Sequence, residues 1–76
     1  MNRNRRDLLK RAVSALEIAE KCVNSALEEE QDCLDNLPES LEGSARYEKM
    51  ELAIGGLEEA IENIDRAKDC ITEASL

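Results

Sequence analysis

Apolar and small side chains recur along the chain at the alternating three- and four-residue spacing of a heptad repeat. In the first half the series is broken only by Glu30, and it comprises Leu9, Ala12, Leu16, Ala19, Val23, Ala26, Cys33 and Leu37. In the second half it is unbroken and comprises Met50, Ala53, Leu57, Ala60, Ile64, Ala67, Ile71 and Ala74. This spacing keeps one face of a helix apolar and is typical of coiled coils. We therefore predict two long helices, over about residues 4–37 and about residues 44–75.

The segment between the two series, about residues 38–43, has the features of a helix stop and restart. It contains Pro38, the only proline of the chain, and Gly43, two residue types that interrupt helices. Asn36 followed by Glu39 resembles a capping box, which predicts a short helical turn inside the connection. Because the connection is short, the helices should run antiparallel. The expected fold class is all-α, a single antiparallel two-helix coiled-coil hairpin over residues 1–76.

The two apolar series also predict how the helices face each other. In the register that best accommodates the connection, Leu16 lies opposite Ala67 and Ala19 lies opposite Ile64. Large side chains then meet small ones along most of the seam. The same register turns Glu30 toward the seam, although its side chain is charged.

Gly55 and Gly56 lie in the middle of the second helix, where each costs about 1 kcal/mol relative to alanine. Two explanations are open at this point. Paired glycines are a recognised site of helix bending, and they also allow another helix or a ligand to approach the backbone closely.

A further set of apolar residues flanks the predicted seam on one side. With Leu9 as the first heptad position they occupy the fifth position, which is normally charged in a soluble two-stranded coiled coil. We expect them to form an exposed apolar ridge, and we take them as candidate interface residues: Val13, Leu27, Leu34, Tyr47, Ile54 and Ile61. The other side is less uniform and offers a weaker contact, through Leu8, Ala15, Ile18 and Cys22 on the first helix and Gly56, Asn63 and Cys70 on the second.

An exposed apolar ridge predicts an interaction between proteins. Burial of the ridge against a second copy would give a four-helix bundle formed by a homodimer, or a higher homo-oligomer. A chain of 76 residues has little apolar area to stabilise a monomer, which favours self-association. The competing interpretation is that the ridge binds an unrelated protein, and the two can coexist. In both cases the expected function is non-catalytic protein binding.

Composition narrows the chemistry open to the chain. There is no histidine, so the commonest general base and the commonest transition-metal ligand are both missing. Cys22, Cys33 and Cys70 include no Cys-x-x-Cys pair, which predicts reduced packing residues rather than a zinc site or a disulfide framework. We therefore expect no enzyme activity, no catalytic residues, no metal and no cofactor.

Charge and hydropathy bear on the surroundings of the protein. The chain has 10 basic and 18 acidic residues and a formal net charge of −8. It contains no apolar stretch of the roughly 20 residues that a bilayer span requires, and no apolar run of a secretory signal follows its basic N-terminus. We expect no membrane partner and a cytoplasmic location. The densest acidic run lacks the spacing of a calcium loop and is interpreted as a solvated face: Glu28, Glu29, Glu30 and Asp32.

Basic residues are concentrated at the N-terminus. Within residues 1–11 a single acid, Asp7, accompanies Arg3, Arg5, Arg6, Lys10 and Arg11. Gathered by oligomerisation, these cations would form an anion site for a nucleotide or a nucleic acid, which is the alternative function. The simpler explanation is that Asp69 and Glu73 of the antiparallel second helix neutralise them at the surface.

The segment from Leu37 to Ile71 carries a resemblance to known proteins. Its most specific parts read Leu37-Pro38-Glu39 and Arg46-Tyr47-Glu48-Lys49-Met50. The segment resembles small uncharacterised helical-hairpin proteins of bacterial, phage and mobile-element genomes. Small acidic phage proteins often act by occupying a surface of a host defence or regulatory protein, so the resemblance implies an inhibitor of that kind. It implies no particular functional residues.

Overall fold

The computed structural model describes the whole chain, from Met1 to Leu76, and confirms an all-helical protein with two long helices packed against each other. Helix α1 spans Arg3–Asp35 and helix α2 spans Ala45–Ala74. A 3₁₀ turn, Glu39–Leu41, lies in the connection, where the sequence predicts a short helical turn. The ends of both helices lie within one or two residues of the predicted ends.

Side chains at the helix ends satisfy backbone groups that the helices leave free. At the start of α1 the Asn2 Oδ1 atom accepts a backbone N–H at 2.9 Å, and at the start of α2 the Ser44 Oγ atom accepts one at 3.2 Å. Asn and Ser are among the preferred N-cap residues. Asn36 caps the C-terminus of α1 instead, because its Nδ2 atom donates to the Asp32 carbonyl oxygen at 2.8 Å. The predicted capping role of Asn36 in the 3₁₀ turn is therefore wrong.

The two helices run antiparallel and form a rod with extents of 59 × 15 × 13 Å. Lys68 of α2 reaches back to Glu20 of α1, with 3.2 Å between Nζ and Oε1. Because the rod is only one pair of helices thick, little of it is shielded from water. Only Met50 and Ile54 are buried, with 9% and 8% of their surface exposed. Both belong to the first turns of α2, so the best-shielded part of the core lies near the connection.

The seam between the helices is visible in the heptad spacing of the half-buried and buried side chains. On α1 the rows of the seam comprise Leu9, Val13, Leu16, Glu20, Val23, Leu27, Glu30 and Leu34. On α2 they comprise Tyr47, Met50, Ile54, Leu57, Ile61, Ile64, Lys68 and Ile71, and Ala12, Ala60 and Ala67 are half-buried at the edge of the seam. The heptad period matches the predicted one. Relative to the predicted arrangement, however, each helix is rotated about its own axis by about 50°, which is half of the angle between successive residues.

This rotation exposes residues that the sequence predicts in the seam. Ala19, Ala26 and Cys33 of α1 and Ala53 and Ala74 of α2 are exposed, so their assignment to the seam is wrong. The reason is that burial is favourable in proportion to the apolar area removed from water, about 25 cal/mol per Å². A seam of Val, Leu and Ile side chains removes more apolar area than a seam rich in alanine.

The six candidate interface residues belong to this observed seam. Ile54 is buried, and the other five are half-buried between the helices: Val13, Leu27, Leu34, Tyr47 and Ile61. The expectation that the hairpin leaves them exposed as a ridge is therefore wrong. They are large apolar residues, so their burial between the helices removes the most apolar area from water and stabilises the hairpin most. Glu30 is half-buried at the seam, as the sequence predicts.

Gly55 and Gly56 lie on the exposed surface of α2, which continues through them as one helix. Nothing lies within 4 Å of a Cβ atom placed at either position, so no neighbour within the hairpin requires glycine there. Gly43 in the connection differs, because its φ of 78° lies in the left-handed region that favours glycine.

We predict opposite effects of alanine at these glycines. Gly55→Ala should raise the free energy of unfolding by about 0.4–1 kcal/mol, because alanine restricts the unfolded chain and meets no neighbour in the helix. Gly43→Ala should lower it by about 1–2 kcal/mol, because alanine is strained at positive φ. Urea unfolding followed by circular dichroism, at one protein concentration, measures both. Equal effects of the two substitutions would contradict this account.

Candidate functional site

One side of the hairpin carries a long face of uncharged residues, most of them small, which recur beside the seam with the same heptad spacing. On α1 they are Leu8, Ala12, Ala15, Ala19, Cys22 and Ala26. On α2 they are Ala53, Gly56, Ala60, Asn63, Ala67, Cys70 and Ala74. We call this set the small-residue face. Ala12, Ala60 and Ala67 are half-buried where the face meets the seam, and all the others are exposed.

Antiparallel packing places the rows from both helices on one side of the rod. A two-fold axis perpendicular to the plane of the two helices relates one helix to the other, so equivalent heptad positions share a side. Ala12 directly precedes the seam residue Val13 on α1, and Ala67 directly precedes the seam residue Lys68 on α2. The two rows are therefore neighbours and form one continuous face.

The opposite side of the rod is polar. One row on this side directly follows the seam row that begins with Leu9 on α1 and with Met50 on α2. It comprises Lys10, Glu17, Asn24 and Gln31 on α1 and Glu51, Glu58, Asp65 and Thr72 on α2, and all of them are exposed. Charged and polar residues on both flanks are usual for an isolated two-stranded coiled coil. Along most of its length this hairpin has charged residues on one flank only. Toward the connection the small-residue face gives way to Glu29, Arg46 and Lys49.

The direction of the small-residue face differs from that of the seam by about 100° around each helix axis. A helix at the corner of a square four-helix bundle contacts two neighbours whose directions differ by about 90°. Each helix of the hairpin therefore has two contact directions that suit such a corner, the seam and the small-residue face. Within the single chain only the seam is covered, by the other helix.

The three cysteines lie on or next to the small-residue face. Cys22 and Cys70 belong to it, and Cys33 follows it toward the connection. All three are free and exposed, so the prediction that they are packing residues is wrong for the single chain. A free cysteine behaves as a small apolar residue, which matches the other members of the face.

A polar cluster interrupts the seam. Lys68 Nζ donates to Glu20 Oε1 at 3.2 Å and lies 3.4 Å from Asp65 Oδ1, whereas Glu20 Oε2 is buried without a hydrogen-bond partner. Hydrogen bonding to Glu20 raises the pKa of Lys68 above its ordinary value of 10.5. The pKa of Asp65 is lowered below its ordinary 3.8, first by hydrogen bonding with Glu20 and also by Lys68. The charges of the cluster thus connect the two helices.

The basic N-terminal residues lie at the tip of the rod, and we call them the basic tip: Arg3, Arg5, Arg6, Lys10 and Arg11. All five are exposed, and Leu9 is the first residue of α1 that is partly covered. Both ion pairs of the structure involve Lys68, so no carboxylate lies within 4.0 Å of any cation of the tip. The expected neutralisation by Asp69 and Glu73 is not present as direct ion pairs.

The surface has a single depression, which is open and is lined by Glu48, Glu51 and Leu52, all on α2. No three metal-ligating side chains are grouped so as to hold an ion. Neither helix combines the length and the apolar character of a segment that crosses a membrane.

The fold and these surfaces define the class of protein, a helical hairpin with one small-residue face and one basic tip. Comparison of the chain with protein-family models, curated proteins and solved structures finds no match.

The polar cluster predicts a pH-dependent effect of Lys68→Met. This substitution should lower the urea midpoint at pH 7, because it leaves the carboxylate of Glu20 without its partner at the seam. In the wild type the contribution from the lowered pKa of Asp65 is present above pH 3.8 and is lost as the pH falls through the lowered pKa. The contribution from the raised pKa of Lys68 is present below pH 10.5 and is lost above it.

The difference between the wild type and Lys68→Met should therefore be greatest near neutral pH and should shrink as the solution is acidified below about pH 4. Lys21→Met provides the matched control, because Lys21 is exposed and forms no ion pair. A difference that is independent of pH, or that the control reproduces, would show that the ion pair has no such role.

Proposed function

We propose that this protein is a non-catalytic interaction module that acts as a homodimer, in which the small-residue faces of two hairpins pack against each other as a four-helix bundle. The observation that carries the proposal is the continuity of this face along both helices. Most of its residues are exposed in the single chain, and a surface of this kind is typical of an interface.

The exposed area of the hairpin supports a further contact. The accessible surface of the chain is 5858 Å², whereas a folded monomer of 8.5 kDa is expected to expose about 4,650 Å². The excess, about 1,200 Å², is of the order of the roughly 800 Å² that each partner buries in a standard protein interface. Dimerisation would bring the exposed area close to that of a compact protein.

The composition of the face suits packing between helices. Alanine, glycine and cysteine side chains are short, so the helix axes of two hairpins can approach to about 8 Å, the lower end of the usual range. Helix formation also favours alanine, so the face stabilises each helix before association. Asn63 is its one amide side chain, and the face has no charged member.

The proposed interface, the small-residue face, differs from the interface predicted from the sequence. The six residues predicted as a ridge stabilise the hairpin internally, and the side expected to offer the weaker contact becomes the dimer surface. A helical segment of an unrelated protein could dock on the same face by the same packing. The inhibitor role implied by the resemblance would use that kind of docking, and the experiment below separates it from self-association.

Ala19→Glu is the most direct test, because Ala19 lies on the face and is exposed. The wild-type chain should sediment as a dimer at low micromolar concentration. The substitution should weaken dimerisation by about 100-fold or more, since burial of an unpaired charge costs about 3 kcal/mol or more. Sedimentation equilibrium over a range of concentrations measures the dissociation constant.

Asn24→Glu provides the matched control, because it adds the same charge at an exposed position of α1 on the polar side. This variant should remain a dimer. A wild-type chain that is folded and monomeric at low micromolar concentration would contradict self-association and leave the face for an unrelated protein. Equal weakening of dimerisation by both variants would show that net charge, rather than the small-residue face, controls dimerisation.

A further inference from the structure

We propose that the basic tip is a second binding site, which contacts the phosphate groups of a nucleic acid duplex. The proposal does not depend on dimerisation, because each chain carries a complete tip. It rests on the arrangement of the five cations and on the lack of any partner for them in the structure.

Arg3, Arg6 and Lys10 share one side of α1, since they are three and seven residues apart. At a rise of 1.5 Å per residue they span about 10 Å along the helix. Successive phosphates of one DNA strand rise by about 3.4 Å, so this row matches a few neighbouring phosphates. Arg5 and Arg11 lie on other sides of the same helix and extend the positive surface around it.

No acidic residue of the protein forms an ion pair with this tip. Along α1 the only acid before Glu17 is Asp7. Glu17 is about 16 Å from Arg6 along the helix axis, which is twice the screening length of about 8 Å at physiological salt. On α2 the acids nearest the tip by position are Asp69 and Glu73, and neither forms an ion pair with it. A ligand at the end of the rod would therefore meet mainly positive charge.

A role in folding does not account for these cations. Positive charge near the N-terminus of a helix opposes the helix dipole, and the first turn of α1 contains no acidic residue. The five side chains are exposed and form no ion pair. Binding of an anion would compensate the unfavourable interaction with the dipole.

The residue types at the tip favour duplex phosphates among anionic ligands. Four of the five cations are arginines, and the guanidinium group forms paired hydrogen bonds with phosphate oxygens. The tip contains no aromatic residue, whereas proteins that hold single strands commonly stack bases on aromatic side chains. Contacts of this kind position a protein on the backbone and do not read the sequence.

The test measures the fluorescence anisotropy of a labelled duplex of about 20 base pairs as the full-length protein is added, at several salt concentrations. The wild type should bind weakly at low salt and lose affinity steeply as salt rises. The triple variant Arg3→Gln, Arg5→Gln, Arg6→Gln should bind about tenfold or more weakly and show a shallower salt dependence, by about 0.9 in the log–log slope for each lost contact. Its helical content should be unchanged.

The control variant Arg46→Gln, Lys49→Gln, Arg66→Gln removes three exposed cations elsewhere and has the same net charge as the test variant. It should bind the duplex nearly as well as the wild type. Equal loss in the two variants, or no binding by the wild type at low salt, would overturn the proposal. Binding to vesicles of phosphatidylserine and phosphatidylcholine that needs Arg3, Arg5 and Arg6, without duplex binding, would overturn it in favour of a lipid surface.

Discussion

A hairpin of two helices can bury side chains only along the line where the helices touch, and the rest of the structure depends on this limit. Most of the large aliphatic residues occupy that line, and even there only Met50 and Ile54 are buried, with 9% and 8% of their surface still exposed. Because these residues occupy the seam, most of the alanines next to it lie exposed at the surface. The small-residue face is therefore exposed because the seam between the two helices is narrow and the neighbouring heptad row of larger residues occupies it.

The distribution of charge makes the two sides of the rod different from each other and its two ends different from each other. The polar flank keeps one side solvated, the small-residue face leaves the other side able to pack, and the cations of the basic tip lie at one end. Within the seam, Glu20 and Lys68 form an ion pair at positions that are usually apolar, and such a polar layer specifies register at some cost in stability. The small-residue face and the ion pair in the seam both follow from the division of the heptad rows among these roles.

The helices and their connection could be predicted from local signals, and the site could not. Pro38, Gly43 and the unbroken spacing of the second series place the helix ends to within one or two residues of those observed. The choice of seam was harder, because two neighbouring heptad rows on each helix are free of most charges. Side-chain size provided the missing signal, since Val13, Leu27 and Leu34 bury more apolar area than Ala12, Ala26 and Cys33.

The sequence by itself determined that the chain is all-helical, that it forms two helices, and that their apolar rows have a heptad period, because these properties follow from the spacing of residue types along one chain. Only the tertiary structure decided which of two adjacent rows faces the partner helix, since that choice depends on the total area buried when both helices rotate together. The same choice placed the predicted interface residues inside the hairpin and the small-residue face outside it.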